Sequence, residues 1–173
     1  MTGLRLAPAV REAQAPAPET LVARARRVRL VLTDCDGVLT DGTVYVSSQG
    51  EAMLRFSRRD GLGVERLREA GIETAIVTRE HSPIVARRAE KLRALHLEGI
   101  LDKAAELPRL LRQAGCGAHE VACIGDDVND LEILQAVARA GLTAAPNDAM
   151  EPVAATVHHV KLRRVRTTIA ETA

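Results

Sequence analysis

The residues best suited to chemistry are aspartates set among turn formers at the end of an apolar run, in Leu30-Val31-Leu32-Thr33-Asp34-Cys35-Asp36-Gly37-Val38-Leu39-Thr40-Asp41-Gly42. Asp34 and Asp36 stand two apart, so on an extended backbone they project to one side while Cys35 points away. Carboxylates this close repel unless a cation lies between them, and oxygen ligands of this kind suit a hard ion such as Mg²⁺. Gly37 and Gly42 let the backbone bend around whatever the acids hold. The plainer alternative is a decorated turn, since Asp and Gly are common turn residues.

The same logic returns in Cys123-Ile124-Gly125-Asp126-Asp127-Val128-Asn129-Asp130-Leu131, where an apolar strand, a Gly and then acids open a helix. Acids at a helix N-terminus also have a structural warrant, because they complement the dipole. Thr78 ends the run Ala75-Ile76-Val77 and, taken alone, reads as a strand-end or N-cap residue whose hydroxyl is a neutral donor. Lys103 opens a helix, where the dipole disfavours a cation, so an anionic partner is expected; a surface lysine is the alternative.

The elements that must position these residues follow from hydrophobic period. Val28 to Leu32 is apolar without alternation apart from Arg29, as in a parallel strand buried on both faces. Glu19 to Arg27 reads as a short helix before it, and residues 1 to 18, with three prolines among alanines, as a flexible tail. Thr43 to Val46 and Ala52 to Phe56 flank a turn-rich pentapeptide and predict a hairpin. Helices are expected from Asp60 to Ala70, Pro83 to Ala94, Lys103 to Gln113 and Asp127 to Val137. Strands are expected at Ile72 to Val77, Leu95 to Leu97, Val121 to Ile124 and Ala140 to Thr143. This alternation predicts an α/β, Rossmann-like fold with a mainly parallel sheet, helices on both faces, and one domain over residues 19–173. Loops at the carboxyl ends of such strands bind ligands, and Asp34, Asp36, Thr78 and Asp126 all fall there.

Composition excludes several classes. The 173 residues carry a net charge of +1 with signs interspersed, which gives no reason to expect nucleic acid or a membrane as partner. One Tyr, one Phe and no Trp argue against stacking on bases. Three cysteines show no metal-ligand spacing, and no secretory signal is evident, so a reduced, cytoplasmic protein is expected. Cys35 lies between carboxylates that should raise its thiol pKa, which disfavours a catalytic thiolate.

The first acidic segment resembles, residue for residue, the Asp-x-Asp-Gly-Val-Leu-Thr-Asp-Gly motif of the haloacid dehalogenase superfamily, and the second resembles that superfamily's Gly-Asp-x-x-x-Asp motif. The resemblance implies an aspartyl-phosphate mechanism. Asp34 is then the nucleophile, Asp36 the general acid and base with its backbone carbonyl on Mg²⁺, and Asp126 a direct Mg²⁺ ligand. It also implies that Thr78 bonds the phosphoryl group, that Lys103 balances its charge, and that Asp127 and Asp130 support the metal or Lys103.

The gaps between motifs hold only a hairpin flap, helices and a short strand, so no cap domain is expected. The segment Phe56-Ser57-Arg58-Arg59-Asp60-Gly61-Leu62-Gly63 resembles the capless branch that dephosphorylates eight- and nine-carbon 2-keto-3-deoxy sugar acid phosphates. The segment after Thr78 leans toward the nine-carbon acylneuraminate group. A capless site lies open unless another subunit closes it, so the resemblance implies a homo-oligomer, a tetramer being favoured. The substrate carboxylate needs a cation, and Arg59, Arg79 and Arg87 are candidates. The branch usually ends in a Gly-Gly-x-Gly-Ala-x-Arg-Glu segment, whereas His158-His159-Val160-Lys161-Leu162-Arg163-Arg164-Val165-Arg166 stands here and reads as a solvated tail. That departure keeps open a non-catalytic regulatory or scaffolding subunit partnering a sugar-acid cytidylyltransferase. A signalling receiver domain also clusters acids, a Thr and a Lys, but its phosphorylated Asp lies on another strand from its acidic pair.

Overall fold

The computed structural model describes residues 20–162. The tail expected over residues 1–18 lies outside the described residues. Six parallel strands form one sheet in the order β5-β4-β1-β6-β7-β8: β1 (Leu30–Thr33), β4 (Glu73–Val77), β5 (Leu95–Leu97), β6 (Val121–Ile124), β7 (Leu142–Pro146) and β8 (His159–Leu162). Every pairing within it is parallel. The helices are α1 (Leu21–Ala25), α2 (Arg58–Glu69), α3 (Pro83–Leu92), α4 (Lys103–Ala114), α5 (Leu131–Ala138) and α6 (Glu151–Ala154). A separate antiparallel pair, β2 (Thr40–Ser47) with β3 (Gly50–Phe56), makes the hairpin.

Alternate residues of each strand serve opposite faces, as the pleat requires. Val31, Ile76, Ala122 and Ile124 pack with Val64 and Leu67 of α2 and with Val85, Ala89 and Leu92 of α3. Leu30, Leu32, Val77 and Cys123 pack on the other side with Leu107 and Leu110 of α4 and with Ile133, Leu134 and Val137 of α5. Both faces of β1 are therefore buried, which is why its sequence shows no polar alternation across Leu30 to Leu32.

Local chemistry sets the helix starts. Ser57, Ser82 and Asp102 cap α2, α3 and α4 by accepting backbone N–H bonds, and Pro83 occupies the first turn of α3. The expected helix over Asp127 to Val137 divides into a 3₁₀ turn at Val128–Asp130 followed by α5, because the Asp127 and Asp130 side chains bond backbone N–H groups of that turn. The strand expected at Ala140 to Thr143 lies slightly later, at Leu142–Pro146.

The C-terminal reading needs correction. His159–Leu162 is not a solvated tail but β8, paired with β7 through Ala144↔His159. His158 bonds Thr143, their Nδ1 and Oγ1 atoms 2.7 Å apart, while its backbone N–H donates to the same hydroxyl at 3.1 Å. Arg163 to Arg166 lie outside the described residues. No helix among the described residues is long and apolar enough to cross a membrane.

Candidate active site

From β1 the sheet grows through β4 to β5 on one side, and the chain then crosses back to β6 on the other side of β1 and continues to β7 and β8. The crevice outside the carboxyl ends of β1, β4 and β6 is thus a topological switch point, where an open α/β sheet has room for a ligand. Asp34 follows β1, Thr78 follows β4 and Asp126 lies just past β6. The Asp34 N–H donates to the Ile124 carbonyl at 3.0 Å, fixing the first acidic loop against the second. Three backbone N–H groups, of Val38, Leu39 and Thr40, converge on the Cys35 carbonyl and fold the chain back beneath the acids.

Lys103 is the centre of the buried electrostatics. Only 4% exposed, its Nζ stands 2.8 Å from Asp34 Oδ1 and donates to Asp130 Oδ1 at 2.7 Å. The anionic partner demanded by a cation at a helix start is therefore two aspartates. Asp130 also accepts the Asp126 N–H through Oδ2 at 3.1 Å, so one carboxylate ties the lysine to the second acidic loop. Burial would lower the Lys103 ammonium, yet Asp34 and Asp130 outweigh it and hold the group above its ordinary range. Burial and the charge of Asp130 push the Asp34 carboxyl up to about 7, against the pull of Lys103. Burial, with Glu51 and Glu80 nearby, raises Asp36 as well. The Cys35 thiol is pushed up by burial and by Asp36 and Asp34, as expected for an unreactive thiol.

One carboxylate oxygen from each of Asp34, Asp126 and Asp130 lies within 4.8 Å of the others, all three residues being buried. Gly37 makes this possible: a Cβ there would come 1.9 Å from Asp126 Oδ2, and its φ of +84° is one that L side chains rarely adopt. Three hard oxygen donors against a single ammonium leave an anionic surplus, so the donor set fits a hard divalent cation. The Asp36 carboxylate stands outside this trio, near Thr40 Oγ1 at 3.5 Å.

A cavity of about 180 Å³ opens over the acids and is lined by Asp34, Asp36, Thr78, Arg79, Glu80, Asp127 and Asn129. Of the expected site residues, the structure thus brings Asp34, Asp36, Thr78, Arg79, Lys103, Asp126, Asp127 and Asp130 to one place. Arg59 is exposed on α2 and does not line this cavity, while Arg87 pairs with Glu90 on the exposed side of α3 at 3.1 Å. Sequence reasoning passed over Glu80, Asn129 and Glu51. Asn129 sits inside the second acidic motif and Glu80 directly follows Arg79, so position carried a signal for both. Glu51, on the hairpin, accepts a hydrogen bond from the Ser82 hydroxyl, a contact with no local signature.

No protein-family model matches this chain. Over 138 residues it is 40% identical to the 3-deoxy-D-manno-octulosonate 8-phosphate phosphatase of Haemophilus influenzae, covering 79% of this chain and 75% of that protein. The chain belongs to this phosphatase family. The Yersinia pestis 3-deoxy-D-manno-octulosonate 8-phosphate phosphatase is 35% identical over 146 residues, spanning 84% of this chain and 76% of the relative. A solved family member from Moraxella catarrhalis, in complex with magnesium, phosphate and the sugar acid, superposes with a TM-score of 0.75 at 31% identity, covering 81% of this chain and 79% of that one. The cobalt-bound Haemophilus influenzae phosphatase also gives 0.75, at 39% identity and 79% coverage of both chains. These family members bear the eight-carbon name, so the lean toward a nine-carbon substrate draws no support from them. The likeness agrees with the α/β architecture and with the absence of a separate cap domain among the described residues.

Proposed function

We propose that this chain is a Mg²⁺-dependent phosphomonoesterase that hydrolyses 3-deoxy-D-manno-octulosonate 8-phosphate through an aspartyl-phosphate on Asp34. The observation that carries this reading is the buried Asp34 carboxylate, 2.8 Å from the Lys103 ammonium and grouped with Asp126 and Asp130 at the switch point of the sheet. Asp34, Asp126 and the Asp36 backbone carbonyl would hold the cation, which when bound neutralises phosphoryl charge and aligns the ester for in-line attack.

In the first displacement an Asp34 carboxylate oxygen bonds to phosphorus as the ester P–O bond breaks, and Asp36 gives its proton to the departing sugar oxygen. Asp36 is suited to carry that proton, since burial together with Glu51 and Glu80 raises its carboxyl. In the second displacement Asp36 takes a proton from water, the water oxygen bonds to phosphorus, and the bond to Asp34 breaks to release phosphate. Lys103 offsets charge on the phosphoryl oxygens, the Thr78 hydroxyl donates to one of them, and Arg79 at the cavity lip faces the sugar carboxylate.

Self-association belongs to the same proposal. Its support is the hairpin, where Val44, Tyr45, Val46 (71% exposed) and Met53 present apolar surface to solvent. Sedimentation at assay concentration is expected to give an oligomer, and a monomer would count against it. Cytoplasmic residence is also proposed, supported by three free thiols at Cys35, Cys116 and Cys123.

The deciding experiment is phosphate release with Mg²⁺ or chelator, for wild type and Asp34→Asn, across octulosonate 8-phosphate, N-acetylneuraminate 9-phosphate and hexose phosphates. Turnover of the octulosonate ester is expected, lost with chelator and reduced about a thousandfold or more by Asp34→Asn. Preference for the nine-carbon ester would overturn the substrate, and full activity in Asp34→Asn would overturn the mechanism.

A further inference from the structure

We infer that the cleft between α2 and α3 is a second ligand site, taking a small organic anion that bears two or more phosphate or carboxylate groups. The cleft encloses about 490 Å³ and contains none of the acids of the catalytic cluster. Its α2 wall is one helical face, Arg58, Gly61, Leu62, Glu65 and Arg68, and its α3 wall is Arg88, Lys91 and Leu92. Four cations and one acid thus line the cleft, and Asp60, buried outside the lining, adds its charge beside Arg88 and leaves a cationic surplus. Arg58 and Lys91 make no ion pair among the described residues, and Arg68 reaches Glu65 only at 3.9 Å while donating to the Leu92 carbonyl at 3.0 Å.

Arg88 is held for such a task. Its guanidinium stacks 5.3 Å from the Phe56 ring centroid and donates through Nη2 to the Ser57 carbonyl at 2.8 Å, and its Nε makes no hydrogen bond among the described residues. Gly61 leaves the space it occupies, for a Cβ there would come 3.0 Å from Arg88 Nη2. A glycine inside a helix carries a propensity cost, which the approach of a fixed guanidinium explains. Planar, pre-placed arginines suit phosphate and carboxylate oxygens, and the volume lies in the range of roughly 300–1,000 Å³ usual for small-molecule sites. A concave cleft between two packed helices favours a compact metabolite over a protein surface. The single lining aromatic, with Arg88 on its face, offers little to stacked bases.

The test is calorimetric titration of the full chain in chelator, with pyrophosphate, citrate and inorganic phosphate as probes and a poly-aspartate peptide as control. Pyrophosphate or citrate is expected to bind saturably and more tightly than inorganic phosphate, which also tells phosphate from carboxylate preference. Arg58→Gln and Lys91→Gln, both exposed and therefore compatible with folding, should each weaken binding about tenfold. Asp34→Asn should leave it unchanged, which separates this site from the catalytic one whatever the outcome of the phosphatase assay. Three results would each overturn the inference: no saturable binding, binding insensitive to both cation variants, or binding of the peptide alone.

Discussion

Two charged regions of this molecule are built on opposite terms. At the carboxyl ends of β1 and β6, Asp34, Asp126, Asp130 and Lys103 are all buried, with Lys103 joining Asp34 to Asp130 and Asp130 accepting the Asp126 backbone N–H. Between α2 and α3, exposed Arg58 and Lys91 stand beside half-buried Arg88, with Glu65 in the cleft wall and buried Asp60, whose charge acts on Arg88, as the acids that oppose them. The comparison teaches that burial decides what a charge is worth. In the first region desolvation makes every partner indispensable, because a charge left alone there has no water to turn to. In the second, water screens each cation, so a single loss changes ligand affinity while the fold stands.

The largest effect that would test this contrast comes from Lys103→Met. Removing the ammonium leaves Asp34 and Asp130 facing each other without a cation, and a loss of about 3–5 kcal/mol is expected from the urea unfolding midpoint. A midpoint equal to wild type would mean that the cluster is hydrated and that the contrast fails at its stronger end.

Two glycines sharpen it further. Gly37→Ala must adopt an unfavourable positive φ, at about 1–3 kcal/mol, and drives a methyl group into the Asp126 carboxylate. Mg²⁺ affinity by calorimetry is expected to fall about tenfold or more, since the displaced residue is a proposed metal ligand. Gly61→Ala brings a Cβ 3.0 Å from Arg88 Nη2 and 3.4 Å from Leu92 Cδ2, so the gain in helix propensity is offset by displacing the held guanidinium and stability should change by less than about 1 kcal/mol. Its cost should appear as weaker pyrophosphate binding in the cleft. If Gly61→Ala proved more destabilising than Gly37→Ala, the two regions would not differ as described.

Much of the active edge was legible in the chain. An unalternating apolar run followed by Asp, Gly and Asp marks a buried strand delivering acids, and the second acidic motif repeats the pattern. Helix starts were equally plain, because Ser57, Ser82 with Pro83, and Asp102 act on backbone groups only two or three residues away. Less legible was which arginine lies at the acid cavity, where it is proposed to meet the substrate carboxylate. Arg59, beside Asp60 and Gly61, looked the most suitable of the three candidates, and only the fold shows that Arg79 lines the acid cavity while Arg59 is exposed on α2 and Arg87 pairs with Glu90. The end of the described chain misled for a related reason: His158-His159 reads as polar and solvated until β7 supplies the strand and the Thr143 hydroxyl that satisfy it.

The sequence by itself determined most element types up to β7, the parallel α/β architecture and the acids at strand ends, since these depend on side-chain period and on bonds to near neighbours. Tertiary structure alone decided that Lys103 would be clasped by Asp34 and Asp130, that Gly37 would lie against Asp126, and that Arg88 would fill the space above Gly61. Those contacts join residues far apart in the chain, and their partners are set by strand order and crossover packing, which no local spacing encodes.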